Sequence, residues 1–126
     1  RKEPRPEYDV SGIWRCDYSH ELAASGPYRH HVVLRLTHEG DRIIGDATIA
    51  INTPRESVVV VEMLTGSMKG KSVILQGVSY TYTRAGTERF ELETYNLTAV
   101  DEGTLDGTCS SPSIEVPVTF ERVTNF

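Results

Sequence analysis

Two kinds of side chain in this sequence have the chemistry to hold a small molecule: rings that stack and guanidinium groups that grip anions. Arg122 stands in phase with Ile114, Val116, Val118 and Phe120. Residues two apart in a strand share a face, so a guanidinium rides on an otherwise apolar face. Tyr18 falls in phase with Trp14 and Cys16. Tyr80 and Tyr82 lie in a run whose alternation is split, because Val73 and Leu75 compete with Ile74, Val78 and the two tyrosines. Arg84 and Arg89 flank the turn that follows. Thr94 and Asn96 continue the alternation set by Phe90 and Leu92, opposite Arg89, Glu91, Glu93 and Tyr95. Tyrosines stack on planar rings, and arginine holds phosphate or carboxylate through paired N–H groups. Tyr18, Tyr80, Tyr82, Arg84, Asn96 and Arg122 are therefore the ligand-binding candidates. Trp14 and Phe120 are assigned structural roles, as plugs of a core.

Catalytic constellations are missing. There is no G-x-S-x-G, and neither Cys16 nor Cys109 has an activating neighbour. GxxxxGK[ST] is absent too, and MKGK reads as a turn. Glycosidase chemistry needs two carboxyls on an inner face, whereas Asp46, Glu91, Glu93, Glu115 and Glu121 alternate onto outer faces. His30 and His31 are adjacent on a strand and point to opposite faces; His20 and His38 sit near strand ends. No metal site, cofactor or enzymatic activity is expected. The two cysteines lie outside any CxxC and read as free buried thiols, with a single bridge as the alternative. Asn96-Leu97-Thr98 fits the glycosylation tripeptide but falls inside a strand run and carries little weight.

The elements that must position these residues are strands. At 126 residues the chain has length for one domain. Its 13 Lys+Arg against 18 Asp+Glu give a net charge of -5, which excludes a surface built wholly for nucleic acid or anionic membrane. No stretch approaches the roughly 18 apolar residues needed to span a bilayer. Eight runs rich in Val, Ile, Thr and Tyr are separated by Gly, Pro, Asp and Ser: 12–20, 28–38, 42–52, 57–67, 72–83, 88–100, 104–109 and 114–123. The best helical chance, Glu21–Ser25, is too short to stand alone. Eight strands with short connections predict an all-β, mainly antiparallel, up-and-down barrel over 11–126, with a two-sheet sandwich as the alternative. Gly45, Ala47 and Gly77 stand where a filled core carries bulk; they allow bending or leave room for something. Pro117 lacks a ladder donor in mid-strand and predicts an imperfect seam between the last two strands.

Gly12-Ile13-Trp14 on the first strand and Phe120-Glu121-Arg122 on the last resemble the calycin pattern of lipocalins and their relatives. That resemblance implies a barrel whose end is closed by an arginine over the tryptophan. Ser11-Gly12-Ile13-Trp14, Leu75 through Tyr82, Leu105-Asp106-Gly107 and the closing Phe-Glu-Arg are also similar to the cyclic-dinucleotide receptor barrels of membrane-anchored effectors in bacterial anti-phage (CBASS) systems. This second resemblance implies a non-catalytic sensor of a cyclic nucleotide on the cytosolic face of the inner membrane. Residues 1–10 would then be a linker after an upstream membrane segment, with Arg1, Lys2 and Arg5 marking the cytosolic side. A homo-oligomer fits that reading; a nucleic-acid polymer as partner does not. The alternatives are an extracytoplasmic lipocalin-like carrier of a small apolar ligand and a structural or protein-interaction barrel.

Overall fold

The computed structural model describes residues 5–22, 26–86 and 89–124, with the side chains at 20–22 outside that description. Eight strands follow in order: β1 (Gly12–Leu22), β2 (Gly26–Glu39), β3 (Arg42–Asn52), β4 (Ser57–Lys69), β5 (Ser72–Arg84), β6 (Thr94–Asp101), β7 (Thr104–Ser110) and β8 (Glu115–Thr124). Each pairs antiparallel with the next and β1 closes on β8, so the sheet is an up-and-down barrel rather than a sandwich. Two-residue turns at Gly40-Asp41 and Gly70-Lys71 join β2 to β3 and β4 to β5. Gly40 and Gly70 have φ of 62° and 58°, where a Cβ is disfavoured. Ala23–Ser25, which close the short stretch of best helical chance, lie outside the described residues, as do Glu88 and Arg1–Pro4.

Alternation fills the interior as expected on most strands. Trp14 and Cys16, Leu34 and Leu36, Ile43, Ala47, Ile49 and Ile51, and Val118 and Phe120 are all buried. β6 requires a correction. It begins at Thr94, not at residue 88, and its buried residues are Tyr95, Leu97 and Ala99. Asn96 is exposed on the outer face, opposite exposed Ile74. The expected phase counted from Phe90 and Leu92, and those two residues belong to an irregular segment where strand parity has no meaning.

The split alternation of β5 has a physical cause. Leu64 pairs with Gly77 but Met63 pairs with Ser79, so Val78 is an extra residue. The bulge flips the phase. Val73 and Leu75 point inward before it, and Tyr80 and Tyr82 stand opposite inward-facing Glu62 and Val60 after it. A second shift, between Val59 and Val60, turns Arg84 to pair with Val59.

The barrel has two unlike ends. At one, the turns after β2, β4 and β6 meet residues 5–11. Glu7 N–H donates to Gly70 O (2.7 Å) and Gly70 N–H to Arg5 O (3.0 Å), so the segment read as a linker lies across this end as a strap. Val10 is fully buried; its N–H donates to His38 Nδ1 (3.2 Å) and its carbonyl accepts from Trp14 Nε1 (2.9 Å). Arg122 locks the strap. Its guanidinium lies 4.3 Å over the Trp14 ring and donates to Ser11 O (2.6 Å), Asp9 O (2.7 Å) and Glu102 O (3.0 Å). This is the arrangement the calycin likeness implies. At the other end, the mouth, pairing thins. β5 meets β6 only over Ser72–Gln76, and β1 meets β8 only from Ile13 to Arg15.

Pro117 does not spoil the seam between β7 and β8, which pair without a register shift from Thr104–Glu121 to Ser110–Glu115. Arg122 N–H points to that side, donating to Gly103 O (3.0 Å). Every second residue does the same, so the donor position that Pro117 lacks faces β1 instead, beyond the last β1–β8 pair. The imperfect seam is the one between β8 and β1. Gly45 permits a close approach of backbone: a Cβ there would overlap the Arg35 carbonyl oxygen of the neighbouring strand.

Candidate functional site

Under the strap the interior is solid. Trp14, Tyr95 and Phe120 are fully buried, Tyr95 and Phe120 meeting at 5.9 Å between ring centroids. Toward the mouth, space opens as a cavity of about 790 Å³. Its walls are aromatic: Tyr28, His30, Tyr80, Tyr82 and Phe90. The bulge at Val78 brings both β5 tyrosines here. Tyr80 packs edge-on against Tyr82 (5.6 Å) and Phe90 (5.2 Å). Tyr82 Oη accepts from Phe90 N–H (2.9 Å), pinning the irregular segment between β5 and β6 across the gap left by their short pairing. Tyr18 lies beneath His30, the two rings stacked 4.5 Å apart. Arg89, Glu91, Glu93, Ser111 and Ser113 add polar lining.

Glu62 is fully buried, although β4 gives it no cation. Its Oε2 accepts from Glu93 N–H (2.8 Å), and its carboxyl hydrogen-bonds the Glu93 carboxyl. Tyr95 O–H donates to Glu93 Oε1 (2.9 Å), and the Cys109 thiol hydrogen-bonds the same carboxyl. Two adjoining carboxyls in a dry interior cannot both ionise. Burial and the neighbouring Glu93 charge push Glu62 up to about 8. Burial likewise raises Glu93, Tyr95 and Cys109. Glu62 Oε1 is buried and accepts no hydrogen bond from the described residues. Glu62 is then the neutral donor to the Glu93 carboxyl. Carboxyls that share a proton are too close to flank a glycosidic bond, whose acids stand about 5 Å or more apart.

Gly77 makes room for this pair. A Cβ there would overlap the Glu62 carboxyl. Gly77→Ala is expected to displace Glu62 from its seat and to lower stability by about 1–3 kcal/mol, measured by chemical denaturation at pH 6.

The structure brings Tyr80 and Tyr82 together on the cavity and puts Tyr18 one layer below. Arg84 is exposed and outside the lining, Asn96 is on the outer face, and Arg122 with Trp14 and Phe120 belongs to the strapped end. The expected outward placement of Glu91 and Glu93 is corrected: both line the cavity, because they stand in step with inward-facing Tyr95, Leu97 and Ala99 rather than opposite them. Glu62 was legible only as a break in the apolar run Ser57–Leu64. Its phase with Val58, Val60 and Leu64 is the same signal that singles out Arg122 on β8. Cys16 and Cys109 are free and buried. His30 and His31 face opposite ways as expected, His31 Nδ1 lying 2.6 Å from Asp17 Oδ1 on the outside. No three of the described His, Cys, Asp or Glu residues are grouped to hold a metal. The His20 side chain lies outside the described residues. The chain matches no protein-family model, and no curated protein matches it.

Proposed function

We propose that this barrel is a non-catalytic receptor domain whose mouth takes a small molecule bearing a planar ring. The observation that carries the reading is the bulge at Val78, which turns Tyr80 and Tyr82 into an aromatic cavity above an otherwise solid core. A cavity of about 790 Å³ falls in the size range of small-ligand sites. Trp14, Tyr95 and Phe120 are fully buried below it, which favours this reading over a carrier with a deep apolar chamber. The more specific form of the proposal is a sensor of a cyclic nucleotide, carried on the cytosolic face of a membrane-anchored defence protein, as the resemblance to anti-phage receptor barrels implies. What supports it is a ring-stacking wall beside the rim guanidinium of Arg89, placed to meet phosphate.

Calorimetric titration with cyclic mononucleotides and cyclic dinucleotides tests both forms. Saturable binding is expected, weakened roughly 5- to 150-fold by Tyr80→Ala, the worth of one stacked base. Tyr80 is 41% exposed, so its removal leaves the core intact. Binding that ignores Tyr80→Ala sinks the mouth as the site, and heat signals flat across the whole panel sink the nucleotide form.

A further inference from the structure

The charge of the cavity selects among rings. Among the described residues its lining sets the Glu91 and Glu93 carboxyls against the guanidinium of Arg89, with the His30 ring beside them. Glu93 is held from below by buried groups only: the Tyr95 hydroxyl, the Cys109 thiol and the Glu62 carboxyl. A carboxyl has more acceptor positions than these partners fill, and Glu93 also lines the cavity. Glu91 is braced by Ser111, whose Oγ donates to its Oε1 (3.1 Å), and stands two residues away on the same lining. The floor therefore presents neighbouring fixed acceptors, and the walls present aromatic rings.

We propose, resting on the receptor reading above, that the mouth recognises a guanine-like heterocycle, its adjacent N–H and amino donors meeting Glu93 and Glu91 while its faces lie against Tyr80 and Phe90. A purine edge of the guanine type carries two donors side by side. The adenine edge alternates donor and acceptor and sets a ring nitrogen lone pair against a carboxylate. Hypoxanthine keeps one donor and lacks the amino group. Leaving a half-buried carboxylate without its donor costs far more than losing a contact between apolar groups. The sugar and any phosphate leave the floor toward Arg89 at the rim.

The test is calorimetric titration of the chain with guanosine, inosine, adenosine and pterin, a 2-amino-4-oxo ring without a sugar. Guanosine is expected to bind at least about ten-fold more tightly than inosine or adenosine. Glu91→Gln and Glu93→Gln should each bring guanosine and inosine within about three-fold of each other, while Tyr80→Ala weakens every ring and keeps their ratio. Glu91 is clear of the buried cluster, so its variant stays informative if Glu93→Gln fails to fold. Pterin binding without guanosine binding supports the same edge recognised on a bare ring. Guanosine and inosine bound equally, or a ratio that neither glutamine variant moves, overturns the inference; a loss with Tyr80→Ala in that experiment leaves the receptor reading standing. No binding of any of the four rings also overturns it, and the cyclic-nucleotide panel then decides the receptor reading separately.

Discussion

Glu62→Gln should flatten the pH dependence of this barrel's stability. In the parent, Glu62 holds its proton more tightly folded than unfolded, up to about 8 against an ordinary 4.5. Folding takes up protons across that window, so the stability tied to the neutral carboxyl is complete below about pH 4.5 and is lost as pH rises toward 8. The ionisable groups seen to act on Glu62 or to feel it are acids: Glu93, Tyr95 from β6, Cys109 from β7 and Tyr18 from β1. None supplies a compensating cation, and Glu93 is shifted in the same direction. Glutamine reproduces the neutral state, its carbonyl accepting from Glu93 N–H and its amide donating to the Glu93 carboxyl. Near pH 5 the two proteins should be equally stable. At pH 9 the variant should lead by on the order of 3 kcal/mol, seen as a melting temperature raised by roughly 10 °C. Parallel melting curves for parent and variant across that range would refute the shared proton.

Arg122→Lys should destabilise the barrel by about 2 kcal/mol while leaving binding at the mouth unchanged. One guanidinium serves three carbonyl oxygens, those of Asp9, Ser11 and Glu102, and covers the Trp14 ring. An ammonium at the same reach is a point charge and cannot span that fork. The strap over residues 5–11 should loosen first, because Arg122 ties it to β8 while Gly70 and His38 hold it elsewhere. Denaturant unfolding gives the stability change, and titration of the same variant gives the affinity. A selective loss of affinity at unchanged stability would restore Arg122 to the ligand site.

The strand count was legible because turn residues punctuate the chain cleanly. β3 begins and ends where the sequence places it, its inner face an unbroken series from Ile43 to Ile51. The end closed by Trp14 and Arg122 was legible through an in-phase cation and a short resemblance. The mouth was less so. One inserted residue, Val78, reverses the sense of everything after it, and one-dimensional alternation cannot say on which side of the break the core lies. Tyr80 and Tyr82 were singled out as rings, without the geometry that collects them on one cavity. Asn96 was misplaced because its phase was counted through residues that form no strand. The paired carboxyls escaped for the converse reason: an acid on an inner face is costly, so outer placement is the ordinary expectation, and only the neighbouring Gly77 and a shared proton make the exception tolerable.

Pro117 has a consequence outside the barrel. Toward the mouth, β8 runs on past its last partner on β1 and offers a length of backbone that another chain could copy. A strand from a second molecule adding there would need a continuous row of N–H donors. The pyrrolidine ring removes one of them and places its bulk in the path. The residue that costs this fold no internal bond guards it against growing into a sheet shared between molecules, and it does so beside the mouth.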